Sequence, residues 1–137
     1  MYSIVVGVDG SGNSLRALAM AAGIARRLGA EVHACFVMHL PAVAELGTFA
    51  LPVAPVPLQG LDCSELSTEV RKELAEAGVT GDFVCREGDV ARELEALAEA
   101  LRADMIVVGR SRHPALHVGA APRRLLAMGR RPVVIVP

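Results

Sequence analysis

Apolar positions in this chain come in two patterns that alternate along its length. Short continuous runs occupy residues 2–8, 31–38, 80–86, 105–108 and 132–136. Each is bounded by glycine, proline, aspartate or asparagine, which is the signature of a buried strand. Between them lie segments with apolar residues at helical spacing. Leu15, Leu18, Ala22, Ala25 and Leu28 mark one face over 14–28, with Arg16, Arg26 and Arg27 on the solvated side and Gly29 as a stop. Leu66, Val70, Leu74 and Ala77 mark a second helix after the capping-box spacing of Asp62 and Glu65, and Gly78 ends it. Gly88 and Asp89 open a third, with Val90, Leu94, Leu97, Ala98 and Leu101 inward. The last helix is expected over about 121–129.

The expected order is β-α-β-loop-α-β-α-β-α-β. Strands that are apolar throughout, instead of alternating, belong to a sheet covered on both faces. Right-handed crossovers then give an α/β fold: a single domain over 1–137 with an open parallel five-stranded sheet and helices on both faces. Residues 39–60 interrupt the pattern with four prolines and two glycines in an otherwise apolar stretch, and read as a Pro-rich insertion loop.

Ligands of such sheets bind beyond the carboxyl ends of the strands, where strand order reverses. Two strand ends therefore matter most. One is Gly7-Val8-Asp9, followed by Gly10-Ser11-Gly12-Asn13-Ser14. The other is Val108-Gly109, followed by a polar loop with Arg110, Arg112, His113 and His117 that closes at Gly119-Ala120-Ala121-Pro122. A helix opening after a glycine-edged loop presents unpaired backbone N–H groups and a positive dipole end, which suits an anion such as a phosphate. Arg110, Arg112, Arg123 and Arg124 read either as phosphate clamps or as a solvated basic face. Asp9 reads either as a ribose or adenine acceptor or a metal ligand, or as a turn-former that caps the helix region at Ser14.

Composition removes several other classes. With 53% hydrophobic and 21% charged residues the chain is globular. A net charge of −1, no Trp and one Tyr argue against a nucleic-acid partner. The N-terminal run reads as a strand and not as a signal peptide. No membrane span is expected: the most apolar stretch, Leu46 to Leu58, is broken by Pro52, Pro55 and Pro57. Cys35, Cys63 and Cys85 are odd in number and lack C-x-x-C spacing, which fits structural thiols in a reducing cytoplasm. On this reading Cys35 and Cys85 are small core residues and Cys63 is the more exposed. Pro114 breaks the helix that would bring His113 and His117 onto one face, so no metal site is expected. The dinucleotide fingerprint and the P-loop are both absent. No nucleophile, base and orienting group stand together, so no catalytic residue is assigned and at most a weak ATPase is expected.

Four pieces together resemble the universal stress protein family, over essentially the full length. They are Ile4-Val5-Val6-Gly7-Val8-Asp9-Gly10-Ser11 with Ser14-Leu15-Arg16-Ala17-Leu18; Gly88-Asp89 before the third helix; Ala103-Asp104-Met105-Ile106-Val107-Val108-Gly109; and Pro132-Val133-Val134-Ile135-Val136. The resemblance implies strand order 3-2-1-4-5, a cytoplasmic protein of the stress response, and a homodimer paired through the last strand, Val133, Val134, Ile135 and Val136.

Members of that family that bind ATP carry a loop of the form G-x2-G-x9-G-[ST]. Carried onto this chain, Gly109 matches the first glycine and Gly119 the last. Only nine residues separate them, Arg112 stands in place of the middle glycine, and Ala120 replaces the Ser/Thr. The middle glycine admits backbone to the phosphates and the hydroxyl adds a hydrogen bond, so their loss weakens the triphosphate grip. Asp9, at the position that contacts the nucleoside, is kept, as is the apolar wall expected from Val8, Val37 and Val108. The favoured expectation is a regulatory or binding protein with a degenerate loop and weak or no ATP binding. The alternative is an ATP or AMP binder using Gly7, Val8, Asp9, Val37, Val108, Gly109, Arg110, Arg112, Gly119, Ala120 and Ala121, with magnesium only alongside a nucleotide. An adenylating enzyme is a distant third: Gly10-Ser11-Gly12-Asn13-Ser14 is only faintly similar to an S-G-G-x-D-S loop, with Asn13 in place of the acid.

Overall fold

The structure is a computed structural model, and it describes residues 1–38, 63–110 and 120–137. The insertion loop expected at 39–60, the cap Asp62, and Arg112, His113, His117 and Gly119 lie outside these residues.

Strand β1 (Ser3–Gly7) is followed by helix α1 (Gly12–Leu28), β2 (Glu31–Met38), α2 (Cys63–Glu76), β3 (Gly81–Glu87), α3 (Val90–Ala100), β4 (Met105–Gly109), α4 (Ala120–Met128) and β5 (Val133–Val136). All pairings are parallel, in the order β3-β2-β1-β4-β5. Every predicted strand and helix is present, with ends shifted by one or two residues. The largest shift is at α1, which begins at Gly12 because Ser11 is its N-cap and accepts from the Ser14 N–H. Gly29 ends α1 in the left-handed conformation, with φ of 66°.

Two apolar layers sandwich the sheet. Ile4, Val6, Val32 and Ala34 face α1 and α2, meeting Leu18, Ala21, Leu66, Val70 and Leu74. Val5, Cys35, Ile106 and Val108 face α3 and α4, meeting Leu94, Leu97, Ala98 and Leu125. The sheet residues of both layers come from continuous apolar runs, with successive side chains going to opposite layers. No helix among the described residues is long and apolar enough to cross a membrane.

A charged side chain closes the base of the second layer. Arg131, 11% exposed, lies between α4 and β5 and reaches under α3. Its Nε donates to Glu95 Oε1 at 2.7 Å and its Nη2 to Glu99 Oε2 at 2.7 Å. Its Nη1 donates to the carbonyls of Ala98 at 3.2 Å and Ala103 at 2.8 Å. One guanidinium thus satisfies Glu95, which is buried, and two carbonyls at the end of α3.

The cysteines depart from expectation. Cys35 is buried as predicted. Cys85, expected in the core, is instead exposed on the edge strand β3, and it forms a disulfide with Cys63 at the start of α2. The spacing along the chain gave no sign of the pair. The two come together because α2 packs on β3 through Leu66, Val70 and Leu74, which lays its first turn over the C-terminal half of the strand.

Candidate functional site at the reversal of strand order

Strand order reverses between β1 and β4. The chain leaves β1 to form α1 on one face of the sheet and leaves β4 toward α4 on the other, and it is beyond such a pair of strand ends that folds of this kind take ligands.

The loop after β1 is held by its own polar groups. Asp9 Oδ1 accepts from the Ser11 N–H at 2.8 Å, a turn closed by the aspartate side chain. The Asp9 N–H donates to Ser14 Oγ at 3.1 Å, and that hydroxyl donates to the Ser11 carbonyl at 3.0 Å. Ser14 is buried beneath the turn. Asp9 therefore forms a turn, and its carboxylate is exposed beyond the end of β1.

The second strand end touches this loop directly. Asn13 Nδ2 donates to the Arg110 carbonyl, and Arg16 Nη2 donates to Asn13 Oδ1 at 3.1 Å. A Cβ on Gly109 would lie 2.6 Å from the Asn13 carbonyl oxygen and 3.0 Å from the Ser14 nitrogen. Gly109 is glycine because the backbone that opens α1 passes against it. Gly7 also has a packing reason: a Cβ there would meet Leu94 Cδ1 at 3.0 Å.

The predicted residues separate into groups. Asp9, Gly109 and Arg110 come together at these strand ends, with Asp9 and Arg110 exposed. Gly7 is the last residue of β1. Val8 belongs to the α1 layer, whereas Val37 and Val108 belong to the α3 layer, and none is more than 8% exposed. Ala120 and Ala121 open α4. Arg124 is paired with Asp89, the N-cap of α3, so its guanidinium ties α4 to α3, while Arg123 is exposed. Sequence reasoning passed over Asn13, which joins the two strand-end loops. Its signal was a lone asparagine inside a run of glycine and serine, where small turn-formers are the rule and a long-range bond is not expected. Among the described residues no group of histidine, cysteine and carboxylates could hold a metal ion.

The same architecture recurs in known proteins. A universal stress protein solved in complex with cAMP superposes with a TM-score of 0.76 at 23% identity, covering 99% of this chain and 97% of that one. A universal stress protein from Archaeoglobus fulgidus in complex with dAMP superposes with a TM-score of 0.70 at 21% identity, covering 100% and 98%. In sequence, a universal stress protein from Methanocaldococcus jannaschii is 31% identical over 139 aligned positions, spanning 97% of this chain and 80% of the relative. The model of the universal stress protein family matches residues 1–137. With the strand order, a relative 31% identical over 97% of the chain, and a family match along its whole length, this chain belongs to the universal stress protein family.

Proposed function

We propose that this chain is a regulatory binding protein of the stress response whose crevice takes an adenine mononucleotide and grips ATP weakly or not at all. The exposed Asp9 carboxylate at the end of β1 carries this reading. One of its oxygens serves the turn, and a carboxylate has further acceptor capacity for ribose hydroxyls. Relatives of this fold were solved with cAMP and with dAMP, each bearing a single phosphate. A loop with Arg112 for the middle glycine and Ala120 for the hydroxyl residue loses the close backbone approach and the hydroxyl donor that a longer phosphate chain uses. A second reading, in which ATP binds with magnesium, draws on the exposed Arg110 beside the crevice as a substitute phosphate contact.

Calorimetric titration of nucleotide-free protein with AMP, cAMP and ATP plus magnesium separates these readings, with Asp9→Ala as control. The proposal expects the monophosphates to bind about tenfold or more tighter than ATP, a difference of at least ~1.4 kcal/mol, and to lose binding in Asp9→Ala. ATP binding tightest favours the second reading. No binding of any nucleotide at millimolar concentration overturns both and turns attention to protein partners.

The proposal includes a homodimer paired through β5. That strand has β4 as its neighbour on one side and ends the sheet on the other, with Ile135 39% exposed. Sedimentation of wild type and Ile135→Lys tests it: a dimer for the first and a monomer for the second are expected, and a monomeric wild type overturns it.

A further inference from the structure

We propose that Cys63 and Cys85 form a reversible thiol–disulfide exchange site for a low-molecular-weight thiol of the glutathione class, and that the bridge fastens the first turn of α2 to the edge strand β3.

Three observations carry this. First, the two residues are bonded in the structure, with Cα atoms 6.8 Å apart and a sequence separation of 22. Second, the bond is accessible. Cys85 is exposed on the outermost strand of the sheet, where β2 is its neighbour on one side, and Cys63 is partly exposed. Disulfides that keep a folded protein intact are usually shielded, whereas exposed ones exchange. Third, the two sulfurs differ in kind. Cys63 is the first residue of a 14-residue helix, where the positive end of the helix dipole favours a thiolate. Cys85 lies in an extended strand.

That asymmetry sets the direction of exchange. An incoming thiolate attacks the exposed Cys85 Sγ. The Cys63–Cys85 bond breaks, its electron pair leaves on Cys63 Sγ at the helix end, and Cys85 carries a mixed disulfide. A second thiolate attacks the small-molecule sulfur of that mixed disulfide and expels Cys85 as a thiolate. The protein disulfide has then gained two electrons and two protons, and two small thiols have become one disulfide. Oxidation runs the same steps backward with the small disulfide as oxidant. Cys35 takes no part: it is 1% exposed, and burial pushes its thiol up to about 11.

The mechanical consequence follows from what holds the helix. Leu66, Val70 and Leu74 anchor α2 along its length, and only Leu66 is buried in the first turn. Opening the bridge removes the covalent tie at the end that precedes Leu66.

The test uses the full chain equilibrated in glutathione buffers of graded GSH-to-GSSG ratio, acid-quenched, alkylated and read by intact and peptide mass. Expected is a two-electron transition in which Cys63 and Cys85 lose and regain alkylation together while Cys35 stays unmodified until unfolding. In Cys63→Ser, GSSG should leave a glutathione adduct on Cys85. Hydrogen exchange on residues 64–68 should accelerate by about tenfold on reduction and be insensitive to redox state in Cys63→Ser. Cys63 and Cys85 that remain alkylatable in GSSG, or that collect separate adducts without bridging, overturn the site. A bridge that resists millimolar GSH without denaturant overturns the exchange, and unchanged exchange on residues 64–68 overturns the fastening of α2.

Discussion

The side chain of Asn13 donates to the backbone carbonyl of Arg110, 97 residues further along the chain. This bond ties the first turn of α1 to the residue that follows β4, so it holds the two central strand ends against each other. Asn13→Ala removes a partly exposed bond to a neutral acceptor, and a stability loss of about 0.5–1.5 kcal/mol is expected in urea unfolding. Asn13→Asp places a carboxylate against the carbonyl oxygen and should cost more. Both should weaken any ligand that spans Asp9 and Arg110, readable in the calorimetric titration.

Gly109→Ala is expected to be more damaging than Gly7→Ala, although both glycines end strands of the same sheet. The new methyl at position 109 meets backbone of Asn13 and Ser14, which cannot rotate away, whereas at position 7 it meets the tip of Leu94. Overpacking against backbone should cost about 2–3 kcal/mol, and the Leu94 contact about 1 kcal/mol or less. Equal losses in a denaturant series would show that the α1 N-terminus yields as readily as a leucine methyl.

The centre of the sheet was readable from sequence because β1 and β4 are continuous apolar runs closed by turn residues and buried on both faces, whereas the edge strand β3, with Asp82 and Arg86, was marked by its place between turn signals. The strand ends were readable for the same reason, so Asp9 and Gly109 stood out as residues that interrupt an apolar run. What holds those ends together was not readable. Asn13 to Arg110, Arg124 to Asp89 and Cys63 to Cys85 are contacts between segments far apart in the chain. Each depends on how a helix lies on the sheet. An arginine in the first turn of α4 looks alike in sequence whether it clamps a phosphate or pairs with the cap of α3. Gly109 carries a further lesson. Its match to a nucleotide loop and its need to pass Asn13 both demand glycine, so the residue alone does not identify a ligand.

Arg131 and Glu95 form a pair whose halves cannot be removed separately without penalty. Arg131→Ala leaves Glu95, 5% exposed at its side chain, without its partner and removes a donor from the Ala103 carbonyl, while the Ala98 carbonyl keeps the Ala103 N–H. A loss of about 3–5 kcal/mol is expected in urea unfolding. The double substitution Arg131→Met, Glu95→Met replaces the pair with apolar volume and should recover most of that loss, because the uncompensated charge is gone. A double variant as unstable as Arg131→Ala would mean that the two carbonyl bonds, and not the charge pair, hold the end of α3.

Cys35 makes stability depend on alkaline pH. Its thiol is buried under α3, and burial is the main cause that lifts it from 9.0 to about 11; Glu93 adds to the rise and Arg86 opposes it. The native state therefore keeps the proton at pH values where the unfolded chain has released it. Stability falls wherever the native state binds more protons, so the contribution of Cys35 is fully present below pH 9 and is lost between pH 9 and about 11. The displacement corresponds to about 2–3 kcal/mol. Cys35→Ala lacks this titration but loses a buried sulfur, so it should be less stable than wild type at pH 8, and the gap should narrow by about 2 kcal/mol by pH 11. A gap that stays constant in urea unfolding across that range would place the native thiol near its ordinary value and contradict the buried position of Cys35.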